Sequence, residues 1–301
     1  LEKPTLNPHN PGGKLIMPEL PEVETMVRGI RDTMIGRKLK SLESVPCKCK
    51  PITMEPSLGR IRKKIEGSRI ESVERFAKRI VIRHSTGHRL VIEPRMTGLM
   101  LLEDPPDPDH LRLKWTFAGR EKPNQVWFWD RRGLATCRLY TEESWKEWQN
   151  SGKVGPDALQ MEAELWRERI QSSARAVKVA MLDQKTIAGI GNLYASEILH
   201  VSRVHPETRC QQLTRAQIKR IAENTKAILH EAIRYEGSTL SDGTYRNALN
   251  KSGGYQNQHR VYAKEGKLCS SCEKETVVRI VQAQRSTFFC PLCQSKRRKK
   301  S

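Results

Sequence analysis

A chain of 301 residues is long enough for two domains of ordinary size, each with its own core. Its 54 Lys and Arg against 34 Asp and Glu give a formal charge of +20, which favours a polyanionic partner, nucleic acid ahead of an anionic membrane. The sequence has no apolar run long enough to cross a bilayer, and LEKPTLNPHNPGGKLI at its start has prolines and glycines where a secretory signal needs an apolar stretch, which argues against a membrane span and against secretion.

Residues 1–16 read as a disordered or non-native leader, and the first residue, Leu1, suggests a fragment, a processed product or a misplaced start. From Pro21 the apolar residues Val23, Met26, Val27, Ile30 and Met34 fall at helical spacing, with Gly36 just past the end. Glu22 and Glu24 sit at the positive end of that helix. Between Leu39 and Tyr140 the pattern changes to short runs rich in Val, Ile, Phe and Trp: IESVERF (70–76), RIVIRHS (79–85), HRLVIEP (88–94), LRLKWTF (111–117) and QVWFWD (125–130). Ser85-Thr86-Gly87 makes the second and third a hairpin, and the series predicts an antiparallel sandwich or barrel. Beyond Thr141 the segments 141–150, 158–170, 172–182, 191–200 and 214–235 read as helices, the last with Ile218, Ile221, Ile228 and Ala232 on one face. The domain boundary falls at 141–156, residues 240–258 read as a mobile loop, and KRRKK (296–300) is a basic tail.

Cys269-x2-Cys272 and Cys290-x2-Cys293, seventeen residues apart, have the spacing of a four-cysteine zinc site. Four thiolates leave no open position for a substrate, so such a zinc is structural. VVRIVQ and STFFC between the pairs would form a hairpin, presenting Arg279 and Arg285 on a rigid loop suited to phosphate. Cys47, Cys49, Cys137 and Cys210 lack this arrangement and read as ordinary thiols, which fits a reducing cytoplasm. In QKTIAGIGNLYASEILH (184–200), Gly189 and Gly191 precede a helix beginning at Asn192, and the free amides of that helix start would make an anion site.

The motifs MPELPEVET (17–25), FAKRI (76–80), RMTG (95–98), WDRRG (129–133), VGPDAL (154–159), LDQKTIAGIGNLYASEIL (182–199), VYAKEG (261–266) and QRSTFFCPLC (284–293) together resemble the formamidopyrimidine-DNA glycosylase family, which includes the endonuclease VIII enzymes. PELPE rather than PEGPE is more similar to the formamidopyrimidine branch. The resemblance implies a multi-domain α+β fold: an N-terminal antiparallel β-sandwich with a leading helix (17–140), a helix-two-turn-helix domain (157–258) whose loop 240–258 covers the lesion, and a zinc finger (259–294). It also implies double-stranded damaged DNA in the cleft, one structural zinc, a monomer, and a cytoplasmic, nucleoid-associated location.

The same resemblance assigns roles. Once the damaged nucleotide is flipped, the free nitrogen of Pro18 attacks C1′ of its sugar while Glu19 gives the sugar a proton. Lys78 assists β-elimination and contacts phosphate, and Arg285 assists δ-elimination. Lys178 and Asn192 match phosphate-binding positions, Met96 and Arg131 match residues that fill the gap, and His110 matches a DNA-contacting histidine. Two departures stand out. Asp130-Arg131-Arg132-Gly133-Leu134 lacks the family's aromatic wedge, for which Leu134 is a partial substitute, and Ala174, beside Arg175, replaces a frequent lysine. The expected activity is base excision of oxidised purines such as 8-oxoguanine and formamidopyrimidines, with strand cleavage at the abasic site. The alternatives are a non-catalytic DNA binder if Pro18 stays acylated, an enzyme for oxidised pyrimidines, and a zinc-ribbon RNA-binding or ribosome-associated factor.

Overall fold

The computed structural model describes residues 18–103, 105–240 and 243–296, so the expected leader and nearly all of the basic tail lie outside the described residues. The first helix, α1 (Leu20–Met34), starts with a reciprocal capping box between Glu19 and Glu22 and turns Val23, Met26, Val27, Ile30 and Met34 inward. Ten further elements complete the first lobe: β1 (Leu39–Ser44), β2 (Thr53–Glu55), α2 (Leu58–Ile65), β3 (Ile70–Phe76), β4 (Arg79–His84), β5 (Arg89–Glu93), β6 (Gly98–Leu101), β7 (Leu111–Phe117), β8 (Gln125–Asp130) and β9 (Thr136–Tyr140).

These strands form two sheets, ordered β1-β7-β8-β6 and β2-β9-β5-β4-β3. Their inner faces and α1 share one apolar core, where Trp115 and Trp129 are the bulkiest buried side chains, with Phe117 and Phe128 beside them. Register follows the alternation of apolar residues, as in the β3–β4 pairing of Val73 with Ile82 and Arg75 with Ile80. The expected antiparallel pairing holds except at one edge, where β2 runs parallel to β9. That short strand reaches the edge from the β1–β2 loop and not through a hairpin.

The chain then forms α3 (Glu142–Asn150), which still packs on the first lobe with Trp145 against Val81 of β4 and Val91 of β5. The second lobe holds α4 (Ala163–Ile170), α5 (Val177–Leu182), α6 (Asn192–Val201) and α7 (Arg215–Arg234), followed by the hairpin of β10 (Val278–Gln282) and β11 (Arg285–Phe289). Helix α4 starts later than its apolar pattern suggests, because Asp157 pairs with Ala188 and holds that stretch extended. A pairing of Ala176 with Arg209 delays α5 in the same way. The core of this lobe is continuous from Trp166 and Ile198 to Val277, Phe288 and Cys290 of the cysteine module. None of the described helices is long and apolar enough to cross a membrane.

Leu20 packs in the helical core, whereas Val23, one turn of α1 later, packs in the sandwich core. The first turn of α1 thereby ties the two lobes together, and Pro18 and Glu19 stand where they meet. The loop after α7 returns to the sandwich: Tyr245 and Ala248 are buried in its core, and the Thr239 hydroxyl donates to the Tyr245 carbonyl at 2.7 Å.

Candidate active site at the junction of the two cores

Glu19 is buried, and its carboxylate lies against the start of α6. Oε2 accepts the Gly191 N–H at 2.6 Å and Oε1 accepts the Leu193 N–H at 3.0 Å. The helix-start amides that the sequence offered to an external anion are therefore spent on an internal carboxylate, which corrects that expectation. The approach is close because residue 191 has no side chain, and because the Leu20 N–H docks on the Gly189 carbonyl at 3.1 Å. Glu22, also buried, accepts the Glu19 N–H at 2.9 Å, the Tyr194 hydroxyl at 2.6 Å and the Ser238 N–H at 2.9 Å. Burial pushes Glu19 up to about 7, with Lys78 opposing the shift and Glu22 adding to it. Burial raises Glu22 as well, against the pull of the Tyr194 hydroxyl. Pro18 is buried directly ahead of this carboxylate pair.

Lys78 follows Ala77, whose φ of 55° turns the chain between β3 and β4. Asp157 fixes that turn: Oδ2 accepts the Ala77 N–H at 3.0 Å and pairs with Arg75, while Oδ1 accepts the Leu159 N–H at 3.0 Å. Lys78 is buried, and burial lowers its pKa, opposed by Glu19 and reinforced by Arg285. Arg285, exposed at the start of β11, thus reaches the same electrostatic neighbourhood from the cysteine module. The two-residue turn before it, Ala283 and Gln284, has both residues at positive φ, 45° and 60°, as a tight twisted hairpin requires. Arg279 on β10 donates to the Ser286 hydroxyl at 3.1 Å.

Lys178 is not the surface cation that its expected phosphate contact needs. It is fully buried, and Nζ donates to the Asn192 Oδ1 at 2.6 Å, the Thr287 Oγ1 at 2.8 Å and the Ser286 carbonyl at 3.2 Å. The Asn192 amide in turn donates to the Ser286 carbonyl at 3.0 Å. These two residues clamp the α6 start to β11 and so set where Arg285 stands. Burial, opposed by Glu19 and reinforced by Arg285, pushes Lys178 down to about 7.

Met96, Arg131 and His110 lie apart from this cluster. Met96 is half-buried, and its sulfur accepts from Arg132 at 2.9 Å. Arg131 is exposed and reaches the loop after α7, donating to the Thr244 hydroxyl at 3.3 Å. His110 packs edge-on to Trp129, with Nδ1 2.5 Å from the Asp107 carboxylate. Both the Met96 and Arg131 turns hang on Asp130, whose carboxylate accepts the Thr97 hydroxyl and the amides of Arg132 at 3.2 Å and Ala135 at 2.9 Å. Sequence reasoning passed over Asp130, Asp157, Tyr194 and Ser238. For the two acids the available signal was their place inside two of the quoted motifs, WDRRG and VGPDAL.

The sulfurs of Cys269, Cys272, Cys290 and Cys293 lie within 4.8 Å of one another, with Cys269 3.9 Å from Cys293 and Cys272 3.8 Å from Cys290. Tetrahedral zinc with sulfur ligands at about 2.3 Å needs separations of about 3.8 Å, so these four thiolates fit one structural zinc.

Residues 17–137 match the N-terminal domain of formamidopyrimidine-DNA glycosylase, residues 154–244 its H2TH domain, and residues 266–296 a zinc finger found in FPG and IleRS. The formamidopyrimidine-DNA glycosylase of Lactococcus lactis subsp. cremoris is 32% identical over 285 residues, which are 93% of this chain and 100% of the relative. The chain belongs to the formamidopyrimidine-DNA glycosylase family. A second member, from Chloroflexus aurantiacus, is 34% identical over 290 residues, 92% of this chain and 98% of the relative. Among solved structures, the Lactococcus lactis Fpg in complex with abasic-site DNA aligns with a TM-score of 0.81 at 30% identity, covering 93% of this chain and 100% of that one. A complex of a variant of the same Fpg with Fapy-dG-containing DNA gives the same TM-score, identity and coverage.

Proposed function

We propose that the protein is a base-excision repair DNA glycosylase with abasic-site lyase activity, acting on oxidised purines such as 8-oxoguanine and formamidopyrimidines. The observation that carries the reading is the buried Glu19 carboxylate, pushed up to about 7 beside Pro18. A carboxylic acid with that pKa keeps a protonated fraction at neutral pH, which a proton donor to a sugar oxygen needs. Its proline neighbour, once its nitrogen is free, is a secondary amine able to attack C1′. The Pro18 N–C1′ bond forms as the C1′–N bond to the base breaks, and the proline's N–H proton ends on the departing base. The C1′–ring-oxygen bond opens with the Glu19 proton going to that oxygen, and the opened sugar is left as an iminium on Pro18. Lys78, with its lowered pKa, is suited to take a proton from the sugar in β-elimination, and the exposed Arg285 is suited to the δ-elimination step and to phosphate.

Met96 and Arg131, on turns fixed by Asp130, fill the gap left by the flipped nucleotide, and His110 flanks them. Lys178 and Asn192 act by positioning β11. The lobes divide at 141–156, and the protein acts as a monomer on nucleoid DNA in the cytoplasm, in line with its bacterial relatives. A wider lesion range has one observation in its favour, because Lactococcus lactis Fpg has also been solved with DNA containing an oxidised pyrimidine.

Borohydride trapping on abasic or 8-oxoguanine DNA tests the reading. A form that begins at Pro18 is expected to give a covalent adduct. A form carrying residues 1–17 in uncleavable arrangement is expected to bind the same DNA without one, since an acylated proline nitrogen cannot attack. No adduct from the free-amine form would sink the lyase assignment.

A further inference from the structure

Cys47 and Cys49 belong to the loop between β1 and β2, away from Glu19 and from the zinc site. Both are half-buried, whereas Cys137 and Cys210 are fully buried and the four remaining cysteines form the metal cluster. Cys47 Sγ donates to the Asp109 carbonyl at 2.8 Å and accepts the Cys49 N–H at 3.3 Å. It also accepts from Arg112 Nη1 at 2.9 Å. The neighbouring Cys47 side chain, ahead of burial, holds the Cys49 pKa above the usual range.

Arg112 is only 5% exposed. Its Nε donates to the Asp130 carbonyl at 2.8 Å, while Nη2 is buried without a hydrogen-bond partner. A guanidinium with an unspent donor beside a sulfur offers a place for an oxygen added to it. The same loop lies directly under the Arg131 turn, because a Cβ built on Gly133 would fall 2.1 Å from the Lys50 carbonyl oxygen. A chain of contacts thus runs from Cys47 through Arg112 to Asp130, the residue that holds the turns bearing Met96 and Arg131.

We propose that Cys47 and Cys49 form a peroxide-sensitive thiol pair whose oxidation to a disulfide releases Arg112 and loosens the turns that carry Met96 and Arg131. The Cys47 thiolate attacks hydrogen peroxide: an S–O bond forms, the O–O bond breaks, and the departing hydroxide takes up a proton to become water. The Cys49 thiol then attacks that sulfur, the S–O bond breaks, and the thiol's proton joins the departing hydroxide, which leaves as a second water. The two thiols have lost two electrons, and peroxide has been reduced to water. The disulfide sulfur has no proton for the Asp109 carbonyl and is drawn toward Cys49, away from Arg112, so the guanidinium loses an acceptor and its hold on Asp130 weakens. The effect on DNA rests on the proposed function, whereas the thiol chemistry does not.

The test treats the zinc-loaded full chain with a small excess of hydrogen peroxide and reads both mass and DNA binding. The peptide containing both cysteines is expected to lose two hydrogens before the zinc cysteines react. Cys49→Ser is expected to leave a sulfenic acid at Cys47 that dimedone labels, and Cys47→Ser to leave Cys49 unlabelled. Affinity for abasic-site DNA should fall about tenfold on oxidation, the size of one lost hydrogen bond to a charged group, and return with dithiothreitol. The variant carrying both substitutions should be indifferent to peroxide. Zinc-site oxidation ahead of any 47–49 disulfide would overturn the thiol pair, and a disulfide that leaves DNA affinity unchanged would overturn its control of the turns. Reduced protein that fails to bind this DNA would count against the proposed function, with the mass readout still deciding the thiol chemistry.

Discussion

Gly191 and Glu19 compete for one volume, since an ideal Cβ at residue 191 would stand 2.2 Å from the Glu19 Cδ. Gly191→Ala is therefore expected to push the carboxylate off the α6 amides. Base excision should fall at least about tenfold, with a stability loss of roughly 1–3 kcal/mol from the overpacked junction. Single-turnover rates and urea unfolding on the same preparation read both. A variant with the parent's excision rate would show that the Glu19 position is not needed.

The Glu19 pKa of about 7 gives excision a pH limit. The protonated acid is the donor, so the rate should fall as pH rises through about 7. Stability moves in the same direction. Between the ordinary value of 4.5 and about 7 the folded protein holds more protons at this site than the unfolded chain, so raising pH across that window costs stability. Glu19→Gln should remove this limb of the stability profile and should lower base excision more than trapping on a preformed abasic site, whose sugar already exists partly as the open aldehyde. Equal losses in the two assays would argue against the proton-donor role.

Lys178 and Arg285 should separate in salt dependence. Arg285→Ala removes an exposed cation and is expected to lower the slope of log affinity against log salt by about one. Lys178→Met removes a buried one, so the slope should hold while roughly 2 kcal/mol or more of stability is lost with the hydrogen bonds to Asn192, Thr287 and Ser286. The folded Lys178 pKa lies at about 7, below its ordinary 10.5, so its contribution to stability should increase as pH rises between those values. A fall in salt slope for Lys178→Met would restore the direct phosphate contact.

Zinc loss should reach beyond the hairpin. Cys290, Val277 and Phe288 belong to the helical core, so Cys290→Ser is expected to release metal, lower the melting temperature of the helical lobe and weaken DNA binding. Metal analysis with calorimetry checks this, and an unchanged zinc content would contradict the four-ligand site.

Much of this architecture could be read along the chain. The strands IESVERF, LRLKWTF and QVWFWD appear residue for residue as β3, β7 and β8, because each is an apolar run closed by turn residues. By contrast, β2 has three residues with two of them exposed, β6 is buried throughout and lacks alternation, and α2 hides Ile61 and Ile65 among basic residues. In the site, Glu19 was legible from its motif, but its partners were not: Gly191 lies 172 positions away, and Ser238 lies 216 from Glu22. Lys178 reads as one more surface charge in a basic chain, and only the packing of α5 against α6 and β11 reveals that it is enclosed.

The split anchorage of α1 has a mechanical consequence. With Leu20 rooted in one core and Val23 in the other, the acid at position 19 inherits its position from both, so a packing defect introduced into either core would register at the same carboxylate.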